Sequence, residues 1–555
     1  MHVKTIGVAF GFCAVGALAK EKAVDMSRHA EYKSGAVMGR VMAHKFEQWE
    51  AKLASGALNS TQWPRLNYTK CVDGIAAAIP GDPLHTFRCK NMDLYDFVNH
   101  ATLGSPLSTE EGQTGSSIWG WTDPKSQREF IAVGMYQGTA FAEVSSKGRL
   151  INLGFLPAPV KLSPYALWKE IRSYKHYMLI GSELEEHGIQ IFDMRKLLTL
   201  NPKKGPVTFS IDKDVTGHFK DLPLGRTHNV VINEDLQYAV AVGAAPREDA
   251  CGAGLIFIDL KDPSKPTRLG CNGQDGYVHD AQCLKYRGPD RRYWGHDICY
   301  GYNEDSLTIY DVTNKSASSI ISSTSYDGAA YTHQGWVLNP NNQSFLLLDD
   351  ELDEVNATGP AAAGYPITYI WDIRDLKHPK NTGYYKAANK GIDHNQYVIN
   401  GLSYQSSYGA GVRVYDVSSI PRDPTGGSVC ETAYFDTYPE DDKEEGGGVV
   451  GFAGSWASYG WFESGFVVVN TIERGVYVVK MTRKGGGGVG GGMLEEEAYE
   501  MLDVKSWHEG CEQDFFFSNE SAPQTTSFFP FRTYLLPSLQ RLKTLRNIRN
   551  RLLHG

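Results

Sequence analysis

The chain has 555 residues, 41% hydrophobic and 12% aromatic with 58 glycines, a globular composition long enough for several domains or one large all-β unit. Its formal net charge of -9 and pI near 6.0 argue against a nucleic-acid partner, whose binding domain usually shows a basic stripe; nothing basic of that kind appears before the last twenty residues.

The first residues, MHVKTIGVAFGFCAVGALAK, place one lysine before a short apolar run and end in Ala17-Leu18-Ala19. This pattern predicts a secretory signal peptide over 1–19, cut after Ala19, and an extracellular protein. No later stretch reaches the roughly 20 apolar residues needed to span a bilayer. Export agrees with the eight cysteines beyond the leader, at 71, 89, 251, 271, 283, 299, 430 and 511, an even count that suggests disulfides. It also agrees with six glycosylation sequons, at Asn59, Asn67, Asn314, Asn342, Asn356 and Asn519.

Residues 20–85 form an N-terminal segment. Over 26–54, Val37, Met38, Val41, Met42, Phe46, Trp49 and Leu53 recur at helical spacing, with Gly56 beyond the end. The periodicity predicts one amphipathic helix that must bury its stripe on something larger. Prolines 64, 80 and 83 mark 57–84 as a loop, with Cys71 and Cys89 flanking part of it.

From about residue 116 short β runs repeat. Five alternating strands close on an acid, at Asp193, Asp259, Asp311, Asp372 and Asp416, and TAFAEV (139–144) and GVYVVK (475–480) are weaker copies at the two ends. Each is preceded by a hairpin, clearest at THNVVINEDLQYAVAVGA (227–244), at 278–304, at THQGWVLNPNNQSFLLLDDELDE (332–354) and at DHNQYVINGLSYQSSY (393–408). In the third of these, counting outward from the turn sets His333 opposite Asp349.

Seven four-stranded units that cannot each bury both faces predict an all-β fold, a seven-bladed β-propeller over 86–484. A sandwich is the alternative, but seven copies of one unit favour radial closure. The last copy lacks a fourth strand, so TFRCKNMDLYDFV (86–98) is expected to close the ring. Strand positions pair Cys251 with Cys271 and Cys283 with Cys299, and Cys71 and Cys89, flanking the loop, are expected to pair across it, leaving Cys430 and Cys511 to pair or stay free. A glycine linker (485–492) leads to a tail (493–555) read as disordered, whose basic end could touch an anionic membrane or a partner.

In a propeller the first strand of each blade lines the central channel. His228, His279, His333 and His394 open four consecutive first strands, so they should crowd the axis at one mouth. Glu183, Glu304, Asp349, Asp350, Glu351 and Glu473 end second strands and should ring the same mouth. Imidazoles with carboxylates suit a divalent or transition-metal ion, with the four histidines as candidate ligands. Architecture alone could also repeat a histidine at each blade start. The run DDELDE (349–354) lacks the spacing of an EF-hand and reads as a solvated loop, as does PEDDKEEGGG (439–448). No GxSxG elbow or Walker loop is present.

The strings SSIWGWTDPKSQREFIAVGMYQGTAF, RTHNVVINEDLQYAVAVGA, YVHDAQCLKYRGPD, DHNQYVINGLSYQSSYGAGVRVYDV and GSWASYGWFESGFVVVNTIERGVYVV resemble the choice-of-anchor B proteins, over about 86–482. The resemblance implies a secreted, propeller-like protein related to the LVIVD-repeat group, and it supplies no catalytic residues. The expected function is therefore a binding module presenting its His/carboxylate mouth to a small molecule, glycan or protein. The alternative is a metal-dependent oxidoreductase or hydrolase, and a third reading is a purely structural cell-surface component.

Overall fold

The computed structural model describes residues 20–104 and 112–482. The expected signal peptide, the glycine linker, the tail and Cys511 lie outside the described residues. No helix among the described residues is long and apolar enough to cross a membrane.

Seven sheets, each built on four antiparallel strands, make up the fold. Blade 1 comprises Gly115–Thr122, Glu129–Met135, Gly138–Val144 and Leu150–Pro157; blade 2 Lys169–Tyr174, Tyr177–Ser182, Ile189–Asp193 and Val215–Phe219; blade 3 Asn229–Asn233, Tyr238–Val242, Leu255–Asp259 and Thr267–Asn272. Blade 4 holds Asp280–Lys285, Asp297–Tyr302, Leu307–Asp311 and Ser319–Tyr326, and blade 5 Thr332–Val337, Phe345–Asp350, Ile367–Asp372 and Lys380–Lys386. Blade 6 holds Ile392–Ile399, Leu402–Tyr408, Gly411–Asp416 and Cys430–Phe435, and blade 7 Ser455–Tyr459, Phe466–Thr471 and Gly475–Met481. The seven first strands are neighbours in a closed ring, which makes the fold a seven-bladed propeller.

Closure comes from upstream sequence. Met92–Asn99 pairs antiparallel with Gly475–Met481 as the fourth strand of blade 7. The preceding Thr86–Lys90 does not join it but extends blade 6, pairing with Cys430–Phe435. The segment expected to act as one closing strand therefore splits at Asn91, which has a positive φ of 51°, and staples two blades.

Alternation explains the packing. In blade 5, Phe345 and Leu347 pack toward blade 6, whereas Leu346 and Leu348 pack toward blade 4. In blade 7, Val467 and Val469 face blade 6 and Val468 faces blade 1. With period-2 side chains buried on both faces, the strands read as continuous apolar runs, and an apolar core fills each gap between blades. The Asn400-Gly401 turn in blade 6 has φ of 49° and 79°, the left-handed pair that a two-residue hairpin needs.

Disulfides join Cys71–Cys89, Cys251–Cys271 and Cys283–Cys299; the last pair lies directly opposite in its hairpin, and Cys430 is disulfide-bonded too. The five sequon asparagines within the described residues are exposed.

The N-terminal segment forms two helices rather than one, α1 (Met26–Lys33) and α2 (Ala36–Ser55). Asp25 caps α1 by accepting from the Ser27 and Arg28 amides, and the left-handed Gly35 (φ 77°) breaks the run between them. The apolar stripe of α2 is buried, with Val37, Val41 and Met42 in the same cluster as blades 7 and 1. Phe46 packs edge-on to Trp168, and Trp49 stacks on Tyr136. The helix lies across the channel mouth at which the histidines gather.

Candidate functional site

Each axial histidine stands at a strand irregularity. In blade 5, Thr332 opposes Asp350 and Gln334 opposes Asp349, so His333 is the extra residue of a β-bulge. The simple pairing of His333 with Asp349 is thus displaced by one position, because the ladder bulges where it reaches the axis. Blade 6 bulges between Asp393 and Gln396, around His394. The amides of His228 and His279 bond to the Val242 and Tyr302 carbonyls, whose residues already oppose Asn229 and Asp280. A bulge turns a side chain out of the pleat, here toward the axis.

The four rings form one continuous row. Centroid separations are 4.2 Å for His228–His279, 4.2 Å for His279–His333 and 4.5 Å for His333–His394. All four are buried. Every Nδ1 is engaged: His279 donates to the His333 carbonyl (2.8 Å) and His394 to the Trp456 carbonyl (2.6 Å), while His333 bonds Asp349 (3.0 Å) and His228 bonds Glu183. A carbonyl only accepts, so neutral His279 and His394 carry their proton on Nδ1 and present a bare Nε2. Outer partners of this kind fix the tautomer and orientation of metal-binding imidazoles.

Electrostatics separates the four. Burial holds His279, His333 and His394 well below the ordinary imidazole value, so they are neutral. Burial also opposes charge on His228, but the Glu183 hydrogen bond and charge outweigh it and raise its pKa. The ligand atoms of His279, His333 and Glu351 lie within 4.8 Å of one another, so one point is within about 2.8 Å (4.8/√3) of all three. Closing on zinc, with Zn–N near 2.0–2.1 Å, then needs no donor to move by more than roughly 0.7 Å.

The remaining acids take different places. Glu183 joins the row through His228. Asp349 sits behind His333, also receives the Gln396 amide (3.1 Å), and is pushed well up by burial and by the charge of Asp393. Asp350 does not face the axis: it accepts from the Ala330, Tyr331 and Leu352 amides and the Tyr326 hydroxyl, pinning a turn. Glu304 is held by Arg247 through two 2.8 Å bonds, and Glu473 by Lys52 and the Gly454 amide. These last two are rim ion pairs, apart from the histidine row.

Three participants carried no sequence signal. Lys45 of α2 reaches Glu351 (2.6 Å), and its ammonium lies 4.6 Å from the Phe452 ring centroid. Glu170, on the first strand of a blade without an axial histidine, lines the same space and pairs with Arg172 (3.3 Å). Gln334 bridges two inner strands, donating to the Gln396 carbonyl (2.9 Å) and accepting its amide (3.0 Å), which copies a ladder pair between blades. With α2 seated, about 10 Å³ of cavity remains beside the rings, the room of roughly one water molecule.

Two acidic runs differ from expectation. Every residue of 349–354 is buried, so DDELDE is not a solvated loop; blade 5 folds it inward against Tyr326, Tyr369 and α2. In 439–448, Asp441 is buried and Asp442 and Glu440 pair with Arg88 and Arg474, which tie part of that loop down.

No protein-family model and no curated protein matches the sequence. Among solved structures, the chain is similar to the crystal structure of the computationally designed Ika8 protein, at 8% identity and a TM-score of 0.38, covering 74% of this chain and 96% of that one. It is also similar to the C-terminal WD40 domain of Sif2, at 11% identity and a TM-score of 0.39, covering 76% of this chain and 97% of that domain. The choice-of-anchor B resemblance thus finds no family match, and the seven-bladed propeller stands on its own strand order.

Proposed function

We propose that this is an exported seven-bladed propeller of the choice-of-anchor B kind whose axis binds one transition-metal ion, of the zinc or copper class, through His279, His333 and Glu351, with His394 adjoining. The carrying observation is the convergence of three buried donors, two of them neutral imidazoles, within 4.8 Å of one another. Imidazole with carboxylate suits these ions rather than calcium or magnesium. Export is supported by three disulfides, which persist in oxidising compartments.

The covered mouth favours a binding or stabilising centre over a turnover site. A small molecule, glycan or protein could reach the histidines only with α2 lifted, because the seated helix leaves about 10 Å³. Propellers serve widely as binding modules, and the fold by itself selects no activity.

The test is elemental analysis of the secreted full chain purified without chelator, beside His333→Ala, His279→Ala and His228→Ala. The proposal expects about one zinc or copper per chain in the parent and in His228→Ala, and at least a tenfold loss in the other two. Equal metal in all four, or none in any, would reject it.

A further inference from the structure

The buried run 349–354 holds five acids, and three have evident compensation. Asp349 has His333 and Gln396, Asp350 has four donors, and Glu351 has Lys45. Asp353 and Glu354 do not. They are 0% and 3% exposed, yet Asp353 Oδ1 and both Glu354 oxygens have no hydrogen-bond partner. The fourth oxygen, Asp353 Oδ2, accepts from the Tyr369 hydroxyl at 2.9 Å. The two carboxyl groups lie within hydrogen-bonding reach of each other, and the neighbouring charges of Asp350 and Asp393 are also negative.

We propose that Asp353 and Glu354 hold a hard divalent cation of the calcium class, at a site separate from the histidine row. Buried carboxylates need either protons or a cation opposite them. One proton shared between the two side chains would still leave the buried pair with a net negative charge facing Asp350 and Asp393. A cation satisfies all three orphaned oxygens at once. The donors are oxygens without imidazole, the set that calcium takes at 2.3–2.6 Å and that copper or zinc does not prefer. The turn is already shaped for it: the Thr358 amide bonds the Asp353 carbonyl (2.9 Å), the Asn356 amide bonds the Leu352 carbonyl (2.8 Å), and Tyr369 fixes the Asp353 carboxylate.

The full chain, stripped with EGTA, is titrated with calcium chloride by calorimetry and its melting followed. One calcium ion should bind per chain and raise the melting temperature. Glu354→Gln should weaken binding at least tenfold, whereas His333→Ala should retain the calcium response, which separates this site from the axial one. Terbium provides a second readout that does not need Glu354→Gln to fold: excitation of tyrosine should sensitise bound terbium, and Tyr369→Phe should lose most of that emission while still binding. Absence of calcium binding by the stripped parent, undiminished binding by a folded Glu354→Gln, or terbium emission unchanged in Tyr369→Phe would each overturn the proposal.

Discussion

Lys45 Nζ lies 2.6 Å from Glu351 Oε1, joining residues 306 apart in sequence at the centre of the channel mouth. Both side chains are largely buried, at 11% and 1% exposure, so the pair is shielded from solvent screening. The ammonium therefore stands beside the carboxylate that the proposed metal would use. Replacing Lys45 by methionine should act in two directions. Without metal, Glu351 loses its counter-charge and stability should fall by about 3–5 kcal/mol. With metal, Glu351 is compensated by the ion and the repulsion from Lys45 is gone, so affinity should rise by about tenfold or more. Thermal melting with and without added zinc reads both, and the gap between the two melting temperatures should be wider in Lys45→Met than in the parent. An equal gap would show that Lys45 and the ion do not share Glu351.

Acid stability should depend on histidines outside the axial row. His100 is fully buried, and its Nε2 donates to Asn470 Oδ1 at 3.0 Å; the Asn470 amide is oriented by donating to the Ser116 and Gly134 carbonyls. Burial, outweighing the Asn470 bond, lowers its pKa from 6.5 to about 4, and burial lowers that of His187 to about 3. A histidine depressed on folding stabilises fully above its unfolded pKa and loses that contribution as pH falls toward the folded value. The window is thus pH 6.5 down to 4, with about 2–3 kcal/mol at stake for His100 by pH 4.5. Denaturant melts of the parent and of His100→Asn at pH 7.5 and 4.5 should show a flatter pH dependence in the variant by that amount. The same slope in both would remove His100 as a source of acid sensitivity.

How much of this could be read beforehand follows from what repeats. Third strands ending in an acid and hairpins opening on a histidine recur at blade intervals, so the propeller and the row from His228 to His394 were legible. Lys45 was not: helical periodicity marks the apolar stripe of α2, and a lysine among polar residues looks like a solvated face. The burial of Asp353 and Glu354 was hidden for the same reason, since a run of acids reads as exposed when the turn that folds it inward depends on Tyr369 and the neighbouring blade. The bulge at His333 is likewise a tertiary effect, because counting from the turn assumes an unbroken ladder.

Ring closure concentrates on Asp96, in the strand that completes blade 7. Its fully buried carboxylate accepts from Arg65 Nε (3.0 Å) and the Leu150 amide (2.7 Å) and lies 3.1 Å from Arg149 Nη1, so it couples the closing strand to blade 1 and to the N-terminal loop. Asp96→Asn removes the charge facing two arginines and should cost about 3–5 kcal/mol. The exposed Asp262→Asn, in a surface turn where the side chain accepts only from Ser264, should shift the unfolding midpoint far less. Urea unfolding of both variants measures the contrast, and a loss for Asp96→Asn no larger than that for Asp262→Asn would show that closure does not depend on this carboxylate.

The Cys283–Cys299 bond cross-links directly opposed residues of the inner hairpin of blade 4, and both cysteines are fully buried in the core shared with blade 3. It closes a sequence separation of 16 residues, for which chain entropy alone predicts about 3 kcal/mol of stabilisation. The hairpin also positions His279, whose amide bonds the Tyr302 carbonyl at its far end. Replacing both cysteines by alanine should therefore lower stability by about 3 kcal/mol and weaken metal retention at His279, without a change of fold. Denaturant unfolding together with elemental analysis of the double variant checks both effects. Full metal content despite the expected loss of stability would show that the ladder positions His279 without the cross-link.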